Sequence, residues 1–154
     1  MENQRRSLDQ VGGRLGVKGA DLSPWYKATL RQLLSFGLGG LLIGRYQGSI
    51  YEMLSNVYPD YNWIPWNFDN LPRSIGLKLD VLNMALDFVD TSLKIDKPEM
   101  WYRVSKSQLK SLGINQIIAI NGGLHPSLVR ARPNFAWEES LFIGFRPKKT
   151  LSKE

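Results

Sequence analysis

The sequence predicts an all-α protein made of two tandem three-helix repeat units joined by a long amphipathic helix. Three observations lead to this prediction: short apolar segments with helical spacing, capping motifs that open them, and an internal repeat. The chain has 154 residues, of which 43% are hydrophobic and 22% are charged, as in ordinary globular proteins. This composition does not fit a disordered or a fibrous protein.

The internal repeat has an offset of 76 residues that changes to 74 after a two-residue deletion near Ile120. Trp25-Tyr26 recurs as Trp101-Tyr102, and Gly37 recurs as Gly113. The pairs at the second offset include Gly48 with Gly122, Leu54 with Leu128, Pro59 with Pro133, and Trp63 with Trp137. Chance would not place tryptophans, glycines and a proline in the same order twice, so the sequence predicts a duplication.

The repeat divides the chain into five segments. We expect an N-terminal tail at 1–16, a first repeat copy at 17–71, a connector helix at 72–93, a second copy at 94–145, and a basic C-terminal tail at 146–154. The connector is predicted as one amphipathic helix, because apolar residues recur at helical spacing against a polar side. Its apolar positions are Leu77, Val81, Met84, Phe88 and Val89.

Both copies are predicted to fold as short helices. A capping box opens the first helix of each copy, at Thr29-Leu30-Arg31-Gln32 and at Ser105-Lys106-Ser107-Gln108. Gly37 and Gly113 stand where a left-handed residue would end these helices. A second apolar helix is expected over residues 38–46 in the first copy and 115–120 in the second, and a third follows in each.

The repeated pattern is similar to a known one. Trp-Tyr, a capped helix that ends in Gly, Gly-Ser, and a helix that closes on Tyr58-Pro59-Asp60-Tyr61-Asn62-Trp63 resemble a tandem helical repeat of roughly 70 residues. That repeat occurs in largely uncharacterised proteins of eukaryotic microbes, and the second copy departs from it at Arg132 and Glu138-Glu139. The resemblance implies the helical fold and the duplication, and it transfers no activity.

Several classes of protein are excluded by missing residue types. The chain has no Cys and a single histidine, His125, so disulfide scaffolds, thiolate metal sites and cysteine nucleophiles are ruled out. The most apolar segment, residues 33–44, is too short and too rich in glycine to span a bilayer. We therefore expect a soluble intracellular protein without a membrane span. The sequence does not distinguish between cytosol, nucleus and organelle matrix.

The positive charge is concentrated in the second copy. The net charge is +6, and residues 94–132 alone contain seven basic and two acidic residues. Such clusters supply affinity for phosphate backbones. The sequence favours nucleic acid, with RNA preferred, over a merely solubilising surface and over an acidic protein partner. The residues expected to contact nucleic acid are Lys94, Lys97, Arg103, Lys106, Lys110, Arg130 and Arg132.

Large aromatic side chains are assigned mainly to the core. Trp25, Trp63, Trp101 and Trp137 recur at equivalent positions, where a small unit needs aromatic residues to fill its interior. Trp66 has no aromatic counterpart and is expected to dock a partner. The other residues expected to dock a partner are Arg146, Lys148 and Lys149.

The sequence offers no catalytic constellation. No nucleotide-binding glycine motif is present, and a base needs a partner that His125 lacks in the sequence. We expect no catalytic residue, metal, cofactor or small-molecule substrate. The sequence therefore predicts a nucleic-acid-associated module, a small subunit of a ribonucleoprotein such as a ribosome. The alternative is a structural accessory subunit of a protein complex that docks through its apolar surface and tails.

Overall fold

The structure is a computed structural model that describes residues 2–69 and 71–146, with the backbone alone for Glu2. Its α-helices are α1 Glu2–Leu15, α2 Leu30–Ser35, α3 Ile50–Val57, α4 Arg73–Gly76, α5 Leu79–Leu93, α6 Lys106–Ser111, α7 Asn115–Ile120 and α8 Leu124–Ala131. No strand lies within the described residues, where a single bridge pairs Lys18 with Asp21. The predicted all-α class is confirmed.

Five further helices are not α-helical. The 3-10 helices are Ser23–Lys27, Pro65–Asn67, Pro98–Arg103 and Glu139–Leu141, and Gly40–Arg45 is a π-helix. Between the paired glycines, Gly37 to Gly48 in the first copy and Gly113 to Gly122 in the second, the first copy has two more residues, and this segment contains the π-helix. π-Helical turns are rare and occur mostly as single turns within helices.

The chain divides into two compact units, unit 1 (Met1–Ile75) and unit 2 (Gly76–Glu154). The expected N-terminal tail at 1–16 is wrong, because residues 2–15 form α1, in which Leu8 and Val11 are buried in the core of unit 1. The polar composition of this segment hides the two apolar positions one turn apart. The 72–93 connector is divided between the units, and α5 belongs to unit 2.

The connector is also not one continuous helix. Lys78 has an extended backbone, with ψ at 134°, so α4 ends before it and α5 starts after it. The buried residues of α5 are Val81, Leu82, Ala85, Leu86 and Val89, whereas Leu77, Met84 and Phe88 are exposed. Both sets of residues follow helical spacing. Contacts with neighbouring helices, rather than periodicity, therefore determine which set is buried.

The caps of α2 and α6 confirm the local predictions. The side chains of Thr29 and Ser105 each accept a hydrogen bond from the backbone N–H three residues later. The Gln side chain at that later position accepts a hydrogen bond from the backbone N–H of the cap residue. Gly37 and Gly113 follow the helices with φ of +85° and +80°, a left-handed conformation that glycine adopts without strain. Both helices are therefore short because the capping box fixes where each begins and the glycine fixes where each ends.

Each unit is held together by an aromatic cluster around one tyrosine. In unit 1 the Tyr26 hydroxyl accepts from the Ile64 N–H at 2.9 Å, and its ring packs edge-on against Trp63 and Phe68. The same arrangement recurs in unit 2, where Tyr102 accepts from the Glu138 N–H at 3.0 Å and packs against Trp137 and Phe142. These paired contacts support the duplication, which stays a prediction from the sequence.

Most of the tryptophans that were predicted to lie in the core are buried. Trp25, Trp63 and Trp101 are buried, with exposed fractions of 0%, 5% and 1%, so the core assignment is confirmed for these three. Trp137 is only partly buried, although its Nε1 donates to the Arg132 carbonyl at 2.9 Å.

Candidate functional site

A groove of about 710 Å³ opens on unit 2. Its walls come from α6, from α7, from the start of α8 and from residues 142–146. The Ile143 N–H donates to the Tyr102 carbonyl at 2.8 Å, and this bond fixes the last wall. The apolar part of the lining consists of Val104, Leu109, Ile118, Ala119, Leu124, Phe142, Ile143 and Phe145.

Three cations surround the groove. Lys106 and Lys110 lie four residues apart on α6 and so share one helix face, which the Ser105 capping box fixes in place. Arg146 contributes the third charge from the C-terminal wall. All three residues are exposed, so their charges are available to a bound anion.

The start of α8 adds a fixed dipole to the same lining. Gly122, Gly123 and Leu124 line the groove where α8 begins. The first N–H groups of a helix have no acceptor within it, and the N-terminus carries partial positive charge. The backbone at this end therefore reinforces the field of the lysines.

Aromatic rings and a single carboxylate complete the groove. The ring of His125 lies 5.7 Å from that of Phe142, and Phe145 is 38% exposed at the groove. The Nδ1 of His125 lies 4.0 Å from Oε2 of Glu139. Among the described residues of the lining, Glu139 is the one acidic residue. The groove thus combines the exposed ring of Phe145 and the partly buried rings of Phe142 and His125 with an excess of positive charge.

The positive field is not compensated by the neighbouring sequence. No Asp or Glu occurs between Glu99 and Glu138, a stretch that contains α6, α7 and α8. The same stretch contains five Lys and Arg residues. Since charges of one sign raise the local concentration of the opposite sign, Lys106 and Lys110, which line the groove, attract anions to it.

Of the seven predicted nucleic-acid contacts, the structure brings Lys106 and Lys110 together at the groove, where Arg146, predicted for partner docking, joins them. The other five lie elsewhere. Arg103 lines a separate small pocket beside Glu99 and Tyr102. The seven residues therefore do not share one cavity.

Arg132 has a different role from the predicted one. Its Nη2 lies 2.8 Å from Oδ1 of Asp87 and 2.7 Å from Oδ2 of Asp90, and its guanidinium lies over the Trp101 ring. Arg132 also lines a cavity of about 470 Å³ together with Lys97 and Asp96. Its charge is therefore neutralised within unit 2, and we remove it from the expected phosphate contacts.

Two more predicted contacts are used in local structure. Arg130 Nη1 donates to Oδ1 of Asn121 at 2.7 Å, although the residue is exposed. Lys94 ends α5 in a left-handed conformation, with φ of 55°. Trp66 lies on the 3-10 helix Pro65–Asn67 and is partly buried. Lys148 and Lys149 lie outside the described residues.

The wall at residues 142–146 was not predicted from the sequence. Phe142 stands 74 residues after Phe68, so extending the second offset by a few residues would have placed it beside Tyr102. Among residues 2–69 and 71–146, no group of three or more His, Asp and Glu side chains could hold a metal ion. In the same part of the chain, every helix is too short or too polar to cross a bilayer.

Comparison with known proteins gives no further assignment. No protein-family model matches the chain, and neither curated proteins nor solved structures show a significant similarity to it. The resemblance to a tandem helical repeat stays a prediction from the sequence. The function is therefore argued from the groove itself.

Proposed function

We propose that the protein is a non-enzymatic RNA-binding subunit of a ribonucleoprotein assembly such as a ribosome, and that its groove in unit 2 holds a single-stranded segment. The observation that carries this proposal is the placement of Lys106, Lys110 and Arg146 around rings of Phe142 and Phe145. Proteins that bind single-stranded nucleic acids combine cations with aromatic rings on which bases stack.

The shape of the groove favours a single strand over a duplex. Unstacked bases offer π-faces, and stacking on an aromatic side chain contributes about 1–3 kcal/mol per base. A duplex instead presents phosphates and sugars to a protein surface, and these groups make no favourable contact with an apolar lining. In our proposal the rings of Phe142 and Phe145 contact bases, and Lys106, Lys110 and Arg146 contact phosphates.

The first test measures the affinity for a fluorescent single-stranded RNA of 12 nucleotides by anisotropy across a series of salt concentrations. The test variant is Lys106→Leu combined with Lys110→Leu. The sequence offset equates these positions with Leu30 and Leu34 of unit 1, so the same local fold accepts leucine there. Each phosphate contact contributes about 0.7 to the slope of log affinity against log salt, so the double variant should reduce that slope by about 1.4.

A matched control removes two exposed lysines from unit 1. Lys18→Leu combined with Lys27→Leu changes the net charge equally, and neither lysine lies at the groove. This control should keep the slope of the wild-type protein. Equal losses in both double variants would contradict a site in the groove and would indicate a general effect of net charge.

The second test concerns the assembly. The protein purified from its source should copurify with RNA and ribosomal or other ribonucleoprotein components, and nuclease treatment should release it from them. A complex that survives nuclease unchanged and contains no RNA would favour the alternative function, a structural accessory subunit. That alternative is supported by exposed Leu30, Leu34 and Ile43 in unit 1.

A further inference from the structure

Unit 1 presents an exposed apolar surface, the leucine face, formed by Leu30, Leu34 and Ile43. Their exposed fractions are 42%, 44% and 53%. Leu30 and Leu34 are four residues apart on α2, and a Cβ built on Gly39 would lie 2.7 Å from Cδ2 of Leu34. Ile43 lies one turn beyond Gly39, on the π-helix Gly40–Arg45. The three side chains therefore form one continuous ridge.

The same positions have opposite chemistry in unit 2. The offset of 76 equates Leu30 with Lys106 and Leu34 with Lys110, the two lysines of the groove. One structural position thus carries exposed leucine in unit 1 and exposed lysine in unit 2. The capping box is present in both helices, so a capped helix forms with leucine at these positions in unit 1 and with lysine in unit 2.

Exposed arginines occur in the same stretch of chain as the leucine face. Arg31 follows Leu30 directly, Arg45 ends the π-helix, and both are exposed. No Asp or Glu occurs between Asp21 and Glu52, a stretch that contains α2 and the π-helix. A ligand that meets this surface therefore finds aliphatic side chains and, from the same stretch of chain, exposed arginines and no carboxylate.

We propose that the leucine face binds an acidic amphipathic helix of a partner protein. An amphipathic helix buries apolar residues spaced by three to four positions, which matches a ridge of three aliphatic side chains. Acidic residues beside that apolar stripe would pair with Arg31 and Arg45, and complementary charges select such a partner. This inference concerns unit 1 and does not depend on RNA binding by unit 2.

Other occupants fit the surface less well. RNA would place its phosphates against leucines, and the lysines that unit 2 offers at these positions are absent here. A symmetric contact with a second copy of this chain would bring Arg31 and Arg45 against the same arginines of the partner, because a two-fold interface repeats one patch on both sides. An acidic helix satisfies both the apolar ridge and the arginines of the same stretch of chain.

The test places a photo-crosslinking amino acid at position 34 of the full chain in cells of the source organism. Position 13 is the control, because Gly13 is exposed and a Cβ there has nothing within 4 Å. We expect position 34 to capture a protein segment with aliphatic residues at helical spacing and flanking Asp or Glu. Capture of RNA, of lipid or of another copy of this chain would overturn the proposal, and so would yields no higher than at position 13.

The captured segment is then synthesised, and its affinity for purified protein variants is measured. Leu30→Lys combined with Leu34→Lys should weaken it by about tenfold or more, the effect of removing anchors at the centre of an interface. Lys106→Gln combined with Lys110→Gln, which removes the charges of the groove without adding leucines, should leave it unchanged. Unchanged binding to the Leu30 and Leu34 variant would overturn the proposal. RNA affinity measured on the same variants shows separately whether the proposed function fails.

Discussion

The guanidinium of Arg132 lies 2.7 Å from the carboxylate of Asp90, at the position where unit 1 has Tyr58. Tyr58 makes the corresponding link in unit 1, where its hydroxyl donates to Oδ1 of Asp9 at 2.5 Å. Tyr58 is the C-cap of α3 and Arg132 is the C-cap of α8. In each unit, then, the end of an eight-residue α-helix (α3 or α8) is tied to a carboxylate on the long helix of that unit (α1 or α5), although the donor differs.

The first prediction concerns this link in unit 2. Arg132→Ala leaves the carboxylate of Asp90 without its partner, and the side chains of both residues are 27% exposed. The free energy of unfolding should fall by about 1–2 kcal/mol, between the values of exposed ion pairs and of hydrogen bonds to charged groups. Urea denaturation measures the change. RNA affinity should stay within about twofold of the wild-type value, because the charge is neutralised internally.

Arg130→Ala provides the matched control for the first prediction. Arg130 is exposed and donates to a neutral amide, Asn121, so its removal should cost less stability than that of Arg132. The assignment of Arg132 to structure would be wrong if the two variants were equally stable and Arg132→Ala alone weakened RNA binding.

The second prediction uses the pH dependence of unit 1. Burial, together with the hydrogen bond to Asp9, raises the pKa of Tyr58 above its ordinary value of 10.0. The folded protein therefore retains the phenolic proton at a pH where the unfolded chain loses it. This contribution to stability is complete below about pH 10 and falls above it by up to about 1.4 kcal/mol per pH unit.

Tyr58→Phe removes that pH-dependent contribution. Below pH 10 the variant should be less stable by about 1–2 kcal/mol, because it lacks the hydrogen bond to a carboxylate. Between pH 9 and pH 11 its stability should decline less steeply than that of the wild-type protein. Chemical denaturation at each pH gives both curves, and parallel curves would show that ionisation of Tyr58 is not coupled to folding.

Local signals explain how much of the fold could be predicted from the sequence. The capping boxes and Gly37 and Gly113 depend on a few adjacent residues, and the structure has them as expected. The N-terminal helix was missed because Leu8 and Val11 are almost its only apolar residues. Their burial depends on contacts with residues far along the chain, such as the core around Trp25, and periodicity carries no information about those contacts.

The candidate site was only partly predictable for the same reason. A sequence gives the number of cations in the second copy, but it does not give their partners. Arg132 pairs with Asp87, 45 residues earlier, while Lys106 and Lys110 meet Arg146 across the groove. The i,i+4 spacing of Lys106 and Lys110 predicted that these two lysines share one helix face, because that relationship is local in the sequence. The remaining assignments depended on tertiary contacts.

The third prediction compares two neighbouring glycines of α1. A Cβ on Gly12 would lie 3.2 Å from Nε1 of the buried Trp25 and 3.4 Å from Cγ2 of Val17, whereas a Cβ on Gly13 has nothing within 4 Å. Gly13→Ala should stabilise unit 1 by about 0.5–1 kcal/mol, because alanine favours the helix. Gly12→Ala gains the same helical preference but forces the tryptophan or the valine to move.

Thermal unfolding of the two alanine variants measures the difference. Gly12→Ala should unfold at a lower temperature than Gly13→Ala, with a gap of about 1–3 kcal/mol in stability from overpacking. The fluorescence of Trp25 should shift in the Gly12 variant alone, since its indole Nε1 faces this glycine. Equal stabilisation by both substitutions would show that α1 does not pack closely on Trp25.

The fourth prediction concerns Glu139, a carboxylate in the lining of the groove. Glu139 opposes the field of Lys106, Lys110 and Arg146, so Glu139→Gln should strengthen binding of the single-stranded RNA. A single exposed charge contributes up to about 1 kcal/mol, which corresponds to an increase in affinity of about two- to fivefold.

Glu138→Gln is the control, because Glu138 is exposed, adjacent in sequence and outside the groove lining. Anisotropy at low salt should show a gain for Glu139→Gln that exceeds the gain for Glu138→Gln and that shrinks as salt screens the charges. The same gain in both variants would mean that the RNA responds to the overall charge of unit 2 rather than to the groove.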